Sequence, residues 1–306
     1  MIWFILALTS AVLSSAAAIT QKKALERIDA LSFSFFLSIV NLLICLLFLA
    51  DADLSAINFH QTWVMFVKTL LQAFAFWCVM LSLKNLEISS ALPLLALTPG
   101  TVAVFAFLFI GETLTLIETI GLVMLLAGSY FIEMKTFQNM IEPFRVFFRT
   151  KKYIHVAAAL AFFTISSILD KYLLKDQKME TSSFMILQHL FFAVDFAILV
   201  LVTRTKFHRL PSDILKPLVL LIVITSIITI GYRYTQILAF AIAPVALVLA
   251  IKRLSVFFAS IVGGKLFNEG GLIKKGIAAL IIVIGTILMI GSTGLEKFLS
   301  AINPFS

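Results

Sequence analysis

Long apolar runs separated by short polar breaks dominate the 306-residue chain. The runs lie near residues 2–21, 31–50, 62–83, 89–110, 116–134, 153–174, 183–203, 215–238, 240–262 and 271–292. At about 1.5 Å per residue, each is long enough to cross a hydrocarbon core about 30 Å thick. Uninterrupted runs of about twenty residues without period-two alternation predict helices, not barrel strands. The expected fold is therefore an all-α polytopic membrane protein of about ten transmembrane helices. Met1-Ile2-Trp3 lacks a positive n-region, so the first run reads as a retained helix and not as a cleavable signal. The longest polar break, 135–152, carries Phe137, Ile141, Phe144, Phe147 and Phe148 at helical spacing among five cations. It reads either as an amphipathic helix lying on anionic headgroups or as a plain connector.

Composition agrees with this solvent. Hydrophobic residues make up 61% of the chain and charged residues 13%, which excludes an ordinary soluble domain. The net charge of +8 would suggest nucleic acid in a soluble chain, but here most cations border the bilayer, so nucleic acid is not an expected partner. Cys45 and Cys78 lie inside apolar runs, and no His/Cys/Glu cluster has metal-ligand spacing. Neither disulfide, metal nor cofactor is expected. The expected partners are membrane lipids and a small-molecule metabolite, with monomer and homodimer both open.

An internal repeat divides the chain. Superposing Glu112 on Glu269, an offset of 157, also places Gly128 on Gly285, while Gln21-Lys22 meets Asp170-Lys171 at an offset of 149. Two halves of five helices must insert in opposite orientation because five is odd, which is the signature of an inverted-repeat transporter with a midplane site. The expected division is 1–134 as the first repeat, 135–152 as the connector and 153–306 as the second repeat. Gly111, Gly264 and Gly270 suit turns, and Glu112 and Glu269 read as caps beside the N-terminus of the next helix. Ser14, Ser15, Ala16 to Ala18 and Ala157 to Ala159 predict close approach by the first and sixth helices.

Four cations lie within apolar runs: Lys68, Arg233, Lys252 and Arg253. Their repeat counterparts at the offset of 157 are Thr225, Phe76, Leu95 and Ala96, so the architecture does not require charge there. Intramembrane cations are costly and point to function, with a structural ion pair or snorkelling as the plainer alternative. Guanidinium and ammonium together suit carboxylate or phosphate. The candidate anion site is Lys252, Arg253 and Arg233, with Tyr232, Tyr234, Lys68 and Gln72 as further substrate-binding candidates. Asp195 is the acid set well inside a run and the candidate for coupling or charge pairing; Asp170 lies nearer a helix end. Gln188 and His189 read as packing residues. No nucleophile or base constellation accompanies the cations, so an enzyme, for example one acting on lipid phosphates, is not the expectation.

GETLT (Gly111 to Thr115) followed by Gly121 and Gly128, the weaker copy FNEGG followed by Gly285, the lysines closing the first and sixth helices and the five-plus-five layout resemble the EamA-type drug/metabolite transporter (DMT) superfamily. The resemblance implies secondary transport of small metabolites by alternating access through a central cavity. Within that superfamily, plastid-type phosphate translocators carry a Lys-Arg pair on the ninth helix that clamps phosphate, and Lys252-Arg253 is similar in helix, order and depth. The expectation is thus a carrier of phosphorylated or carboxylated metabolites in a bacterial-type inner or plasma membrane. Alternatives are an amino-acid or drug exporter, or a non-transporting lipid-binding subunit. Sixteen cations fall in odd-numbered loops against four on the opposite side, which predicts both termini outside, whereas the resemblance implies both inside.

Overall fold

The computed structural model describes residues 2–85, 97–133, 154–205, 212–255 and 272–290. Among these residues the chain forms α1 (Ile2–Leu25), α2 (Ala30–Cys45), α3 (Phe59–Asn85), α4 (Thr98–Ile110), α5 (Leu116–Glu133), α6 (Ile154–Lys171), α7 (Thr181–Thr203), α8 (Ser212–Ile242), α9 (Val245–Lys252) and α10 (Leu272–Ile290). Short 3-10 turns follow α2, and a π-helical turn, Tyr172–Asp176, extends α6. The protein is an all-α polytopic membrane fold. Among the described residues, five helical stretches are long and apolar enough to span a bilayer unaided, among them Ile2–Leu25 and Thr181–Thr203. The connector 135–152, Gly264, Glu269 and Gly270 lie outside the described residues.

The break between the eighth and ninth segments lies a few residues later than expected. Apolar character continues from 215 through 262, so hydropathy alone cannot place the break between them. Pro244 does: it lacks an N–H, its ψ of 132° is extended, and α9 starts at the next residue. Arg253, in turn, sits in a turn between helical residues on either side.

Helix pairing exchanges between the halves. The first helix packs on the eighth as the sixth packs on the third; the second meets the eighth as the seventh meets the third; and the fifth lies against the tenth. Side chains fix the hand of these pairs. Ser10 donates to the Tyr232 carbonyl and Thr225 to Thr20, so α1 and α8 run antiparallel. Lys68 meets Asp170 while Phe74 meets Phe162, so α3 and α6 do too. A bundle in lipid gains little from apolar burial between helices, so close backbone approach must supply packing. Along α1 the buried stripe is Ala7, Ser10, Ala11, Ala17 and Ala24, and Ala159 is fully buried on α6.

The closest approach is between α5 and α10. A Cβ on Gly121 would lie 2.6 Å from the Gly285 carbonyl oxygen, and one on Gly285 would lie 2.7 Å from that of Gly121. A Cβ on Gly128 would lie 3.0 Å from the Ala278 carbonyl oxygen. These two contacts interchange under the offset of 157, since Gly121 corresponds to Ala278 and Gly128 to Gly285. The offset read along the chain is thus a relation in space, and its reversed order shows the opposed direction of the two helices.

Gly121→Ala should therefore lower the apparent melting temperature in detergent, at a cost of about 1–3 kcal/mol from overpacking. Gly100→Ala is the control, because the added Cβ there meets the movable end of Leu126 and not backbone. Equal melting of the two variants would count against the close crossing.

Candidate functional site

Three of the four intramembrane cations, Lys68, Arg233 and Lys252, converge within the bundle. Lys68, on α3, is wholly buried, and its ammonium lies 2.7 Å from Asp170 Oδ1 on α6. Arg233, on α8, reaches Asp170 Oδ2 at 3.6 Å. Both cations also donate to one acceptor, Gln188 Oε1 on α7. Arg233 continues to Gln236 Oε1 at 3.2 Å, and Lys252 on α9 donates to that same oxygen at 2.6 Å. Lys252 Nζ also stands 4.6 Å from the ring centre of Tyr232, and Lys68 Nζ stands 5.0 Å from that of Phe184. Three cations therefore share one carboxylate, two amide oxygens and ring faces.

Asp170 is the acid of this network. Asp195 is buried beside Thr69 and forms no ion pair with these cations among the described residues. The reason is rotational: Asp170, at the end of α6, faces α3 and α8, and distance from a helix end does not reveal which way a side chain points. Sequence reasoning had one signal for it. Asp170 replaces Gln21 in the repeat just as Lys68 replaces Thr225, and in the other half Thr225 makes a neutral hydroxyl contact with Thr20, next to Gln21.

Above this floor is a cavity of about 280 Å³. Gln72, Tyr232, Arg233 and Lys252 line it, as does His189, which sequence reasoning assigned to packing. Three other candidates lie elsewhere. Lys68 sits behind the lining against Asp170, Tyr234 stacks on Phe48 at 5.3 Å, and Arg253 Nη2 donates to Thr98 Oγ1 on α4 at 3.0 Å. Lys252 and Arg253 thus diverge, as neighbours about 100° apart around a helix must.

On the opposite face, polar contacts join the two halves of the chain. Lys171 donates to the Phe240 and Ala243 carbonyls at 2.6 and 2.5 Å and pairs with Glu112 at 3.2 Å, which occupies all three ammonium protons. Glu112 Oε2 accepts the Val245 N–H at 3.0 Å, capping α9 from the other half. The expectation that Glu112 caps the next helix is corrected: Thr115 and Glu118 cap α5 reciprocally, with Thr115 N donating to Glu118 at 2.8 Å and Glu118 N to Thr115 Oγ1 at 3.3 Å. Gly111, at φ 62°, ends α4 in the left-handed conformation and turns the chain toward this contact. Nearby, the Asp53 N–H donates to Glu180 and Gln61 donates to the Gln177 carbonyl, joining the α2–α3 and α6–α7 connections. Hydrogen bonds from the Ser55 hydroxyl and the Ala56 N–H hold the Asp53 carboxyl below its usual range. The cavity lies away from this face, beside Gln21 near the end of α1 and Ser34 near the start of α2.

The fold defines a class, a polytopic helical membrane protein. The EamA-like transporter family model matches residues 1–134. A solved crystal structure superposes with a TM-score of 0.75 at 15% identity, covering 97% of this chain and 98% of its own, which is a likeness of fold. No curated protein matches the chain.

A double-mutant cycle tests the ionic floor. Lys68→Thr alone leaves Asp170 short of a counter-charge in the interior and should cost about 3–5 kcal/mol. Adding Asp170→Gln copies the neutral residues of the other half and should restore part of that loss, read as a rise in melting temperature over the single variant. Strict additivity would show that the two side chains do not interact.

Proposed function

We propose that the protein is a secondary transporter of small anionic metabolites, phosphorylated or carboxylated, which binds its substrate in the central cavity at Lys252 and Arg233. One observation carries this reading. Lys68, Arg233 and Asp170, all buried, and the half-buried Lys252 sum to +2, and the cations beyond Asp170 are met by neutral amides and ring faces. Buried charge without full compensation is unfavourable, and an anion in the cavity completes it. Arg233 and Lys252 supply charge-assisted donors to the lining, whereas Lys68 holds Asp170 behind it.

Transport follows from opening and closing around this site. The Lys171–Glu112–Val245 contacts join both halves of the chain on one face, so a carrier that alternates its access must break them when that face opens. The family match over 1–134 supports the transporter class.

A thermal-shift screen of purified protein against phosphate, sugar phosphates, nucleotide sugars, dicarboxylates and amino acids finds the anion class, because a ligand that binds the folded state raises its apparent stability. Lys252→Ala should weaken anion binding about ten- to a hundredfold and reduce uptake into proteoliposomes to a similar degree. Arg253→Ala should weaken it less, because that guanidinium is directed to Thr98. Wild-type affinity in Lys252→Ala would refute the site.

A further inference from the structure

The cavity has a second pole that the cationic floor does not use. On α2, Ser34, Ser38 and Asn41 line it at helical spacing. Both serines give their hydroxyl protons to backbone carbonyls of their own helix, at 2.8 Å to Ala30 and 2.7 Å to Phe35. Toward the cavity they therefore offer lone pairs alone. Asn41 is only 5% exposed, and its Oδ1 has no hydrogen-bond partner; Gln72 Oε1, on α3, is likewise buried and unpartnered. His189 is 2% exposed, and neither ring nitrogen has a partner. Buried polar atoms are normally paired, so the acceptor oxygens of Asn41 and Gln72, beside the serine lone pairs, suit a ligand that carries hydrogen-bond donors.

Resting on the anion reading above, we infer that the substrate is an organic anion that also carries hydrogen-bond donors, hydroxyl or ammonium groups. Its anionic group meets Arg233 and Lys252, and its donors meet Ser34, Ser38, Asn41 and Gln72. His189 offers one N–H and one lone pair in its neutral form and reads a further polar atom of the ligand. Phe192 and Phe196, stacked at 6.1 Å, wall another side of the space. Inorganic phosphate or a simple alkyl carboxylate satisfies the floor and leaves the acceptor wall unpaired. A site built to bond a ligand hydroxyl or amino group discriminates against the analogue without it, because its own buried atoms then lose their partners.

Matched anions that differ in the donor test this on the purified full-length protein. Binding is measured by thermal shift and calorimetry for glycerol 3-phosphate against propyl phosphate, glycerate against propionate and alanine against propionate, with inorganic phosphate as a donor-poor reference. The donor-bearing member of at least one pair should bind about tenfold or more tightly than its partner. The glycerate and alanine arms tell hydroxyl from ammonium. Asn41→Leu with Gln72→Leu should bring that ratio close to one, and the smaller change Ser34→Ala with Ser38→Ala should reduce it; Lys252→Ala should weaken both members of a pair alike. Equal binding within every pair overturns this inference and leaves the anion site standing. A preference that survives both sets of wall substitutions overturns the assignment to this wall. Absence of binding by every anion overturns the anion reading and this one with it.

Discussion

The constraint on which this structure depends is electrostatic: cations held at membrane depth with too few carboxylates to neutralise them. Lys68 is wholly buried, and Asp170 serves both it and Arg233. Removing an ammonium or guanidinium from water is costly, and the bundle offsets that cost with directed partners. Gln188 turns its carbonyl oxygen to two cations and Gln236 does the same, because groups that can only donate select the acceptor end of an amide. Each such choice orients a helix. The polar network therefore sets the rotation of α3, α6, α7, α8 and α9 about one another, something lipid-facing apolar side chains cannot specify.

A second ionic contact does related work at the opposite face. Glu112 belongs to a connection in the first half, yet it caps a helix of the second. Lys171 takes the carbonyls that end α8, while Glu112 takes the N–H that begins α9. The break at Pro244 exposes backbone groups of both signs, and a Lys–Glu pair answers both. The same side chains satisfy the break and join the halves.

The central cavity combines the two themes. Its floor is cationic because Lys68 and Asp170 stand where the other half of the sequence has the neutral Thr225 and Gln21. Its α2 wall is rich in acceptors because Ser34 and Ser38 turn their protons back to their own helix. On the proposed reading, a single space with donors at one end and acceptors at the other selects ligands by the arrangement of their polar groups as well as by charge.

The one-dimensional pattern determined the all-helical membrane fold, the ten segments and the repeat. Run length and polarity decide whether a backbone can satisfy itself in lipid, and that depends on local sequence alone. The offset of 157 aligned Gly128 with Gly285, and the crossing of Gly121 on Gly285 and of Gly128 on Ala278 obeys the same shift. Which acid neutralises the cations, where Lys252 and Arg253 separately point, and which helix Glu112 caps were decided by tertiary structure. Asp170, Thr98 and Val245 meet their partners from distant helices, and such meetings depend on how each helix is rotated and docked. Hydropathy sets that a segment is buried in a membrane; only packing sets which way its few polar side chains face.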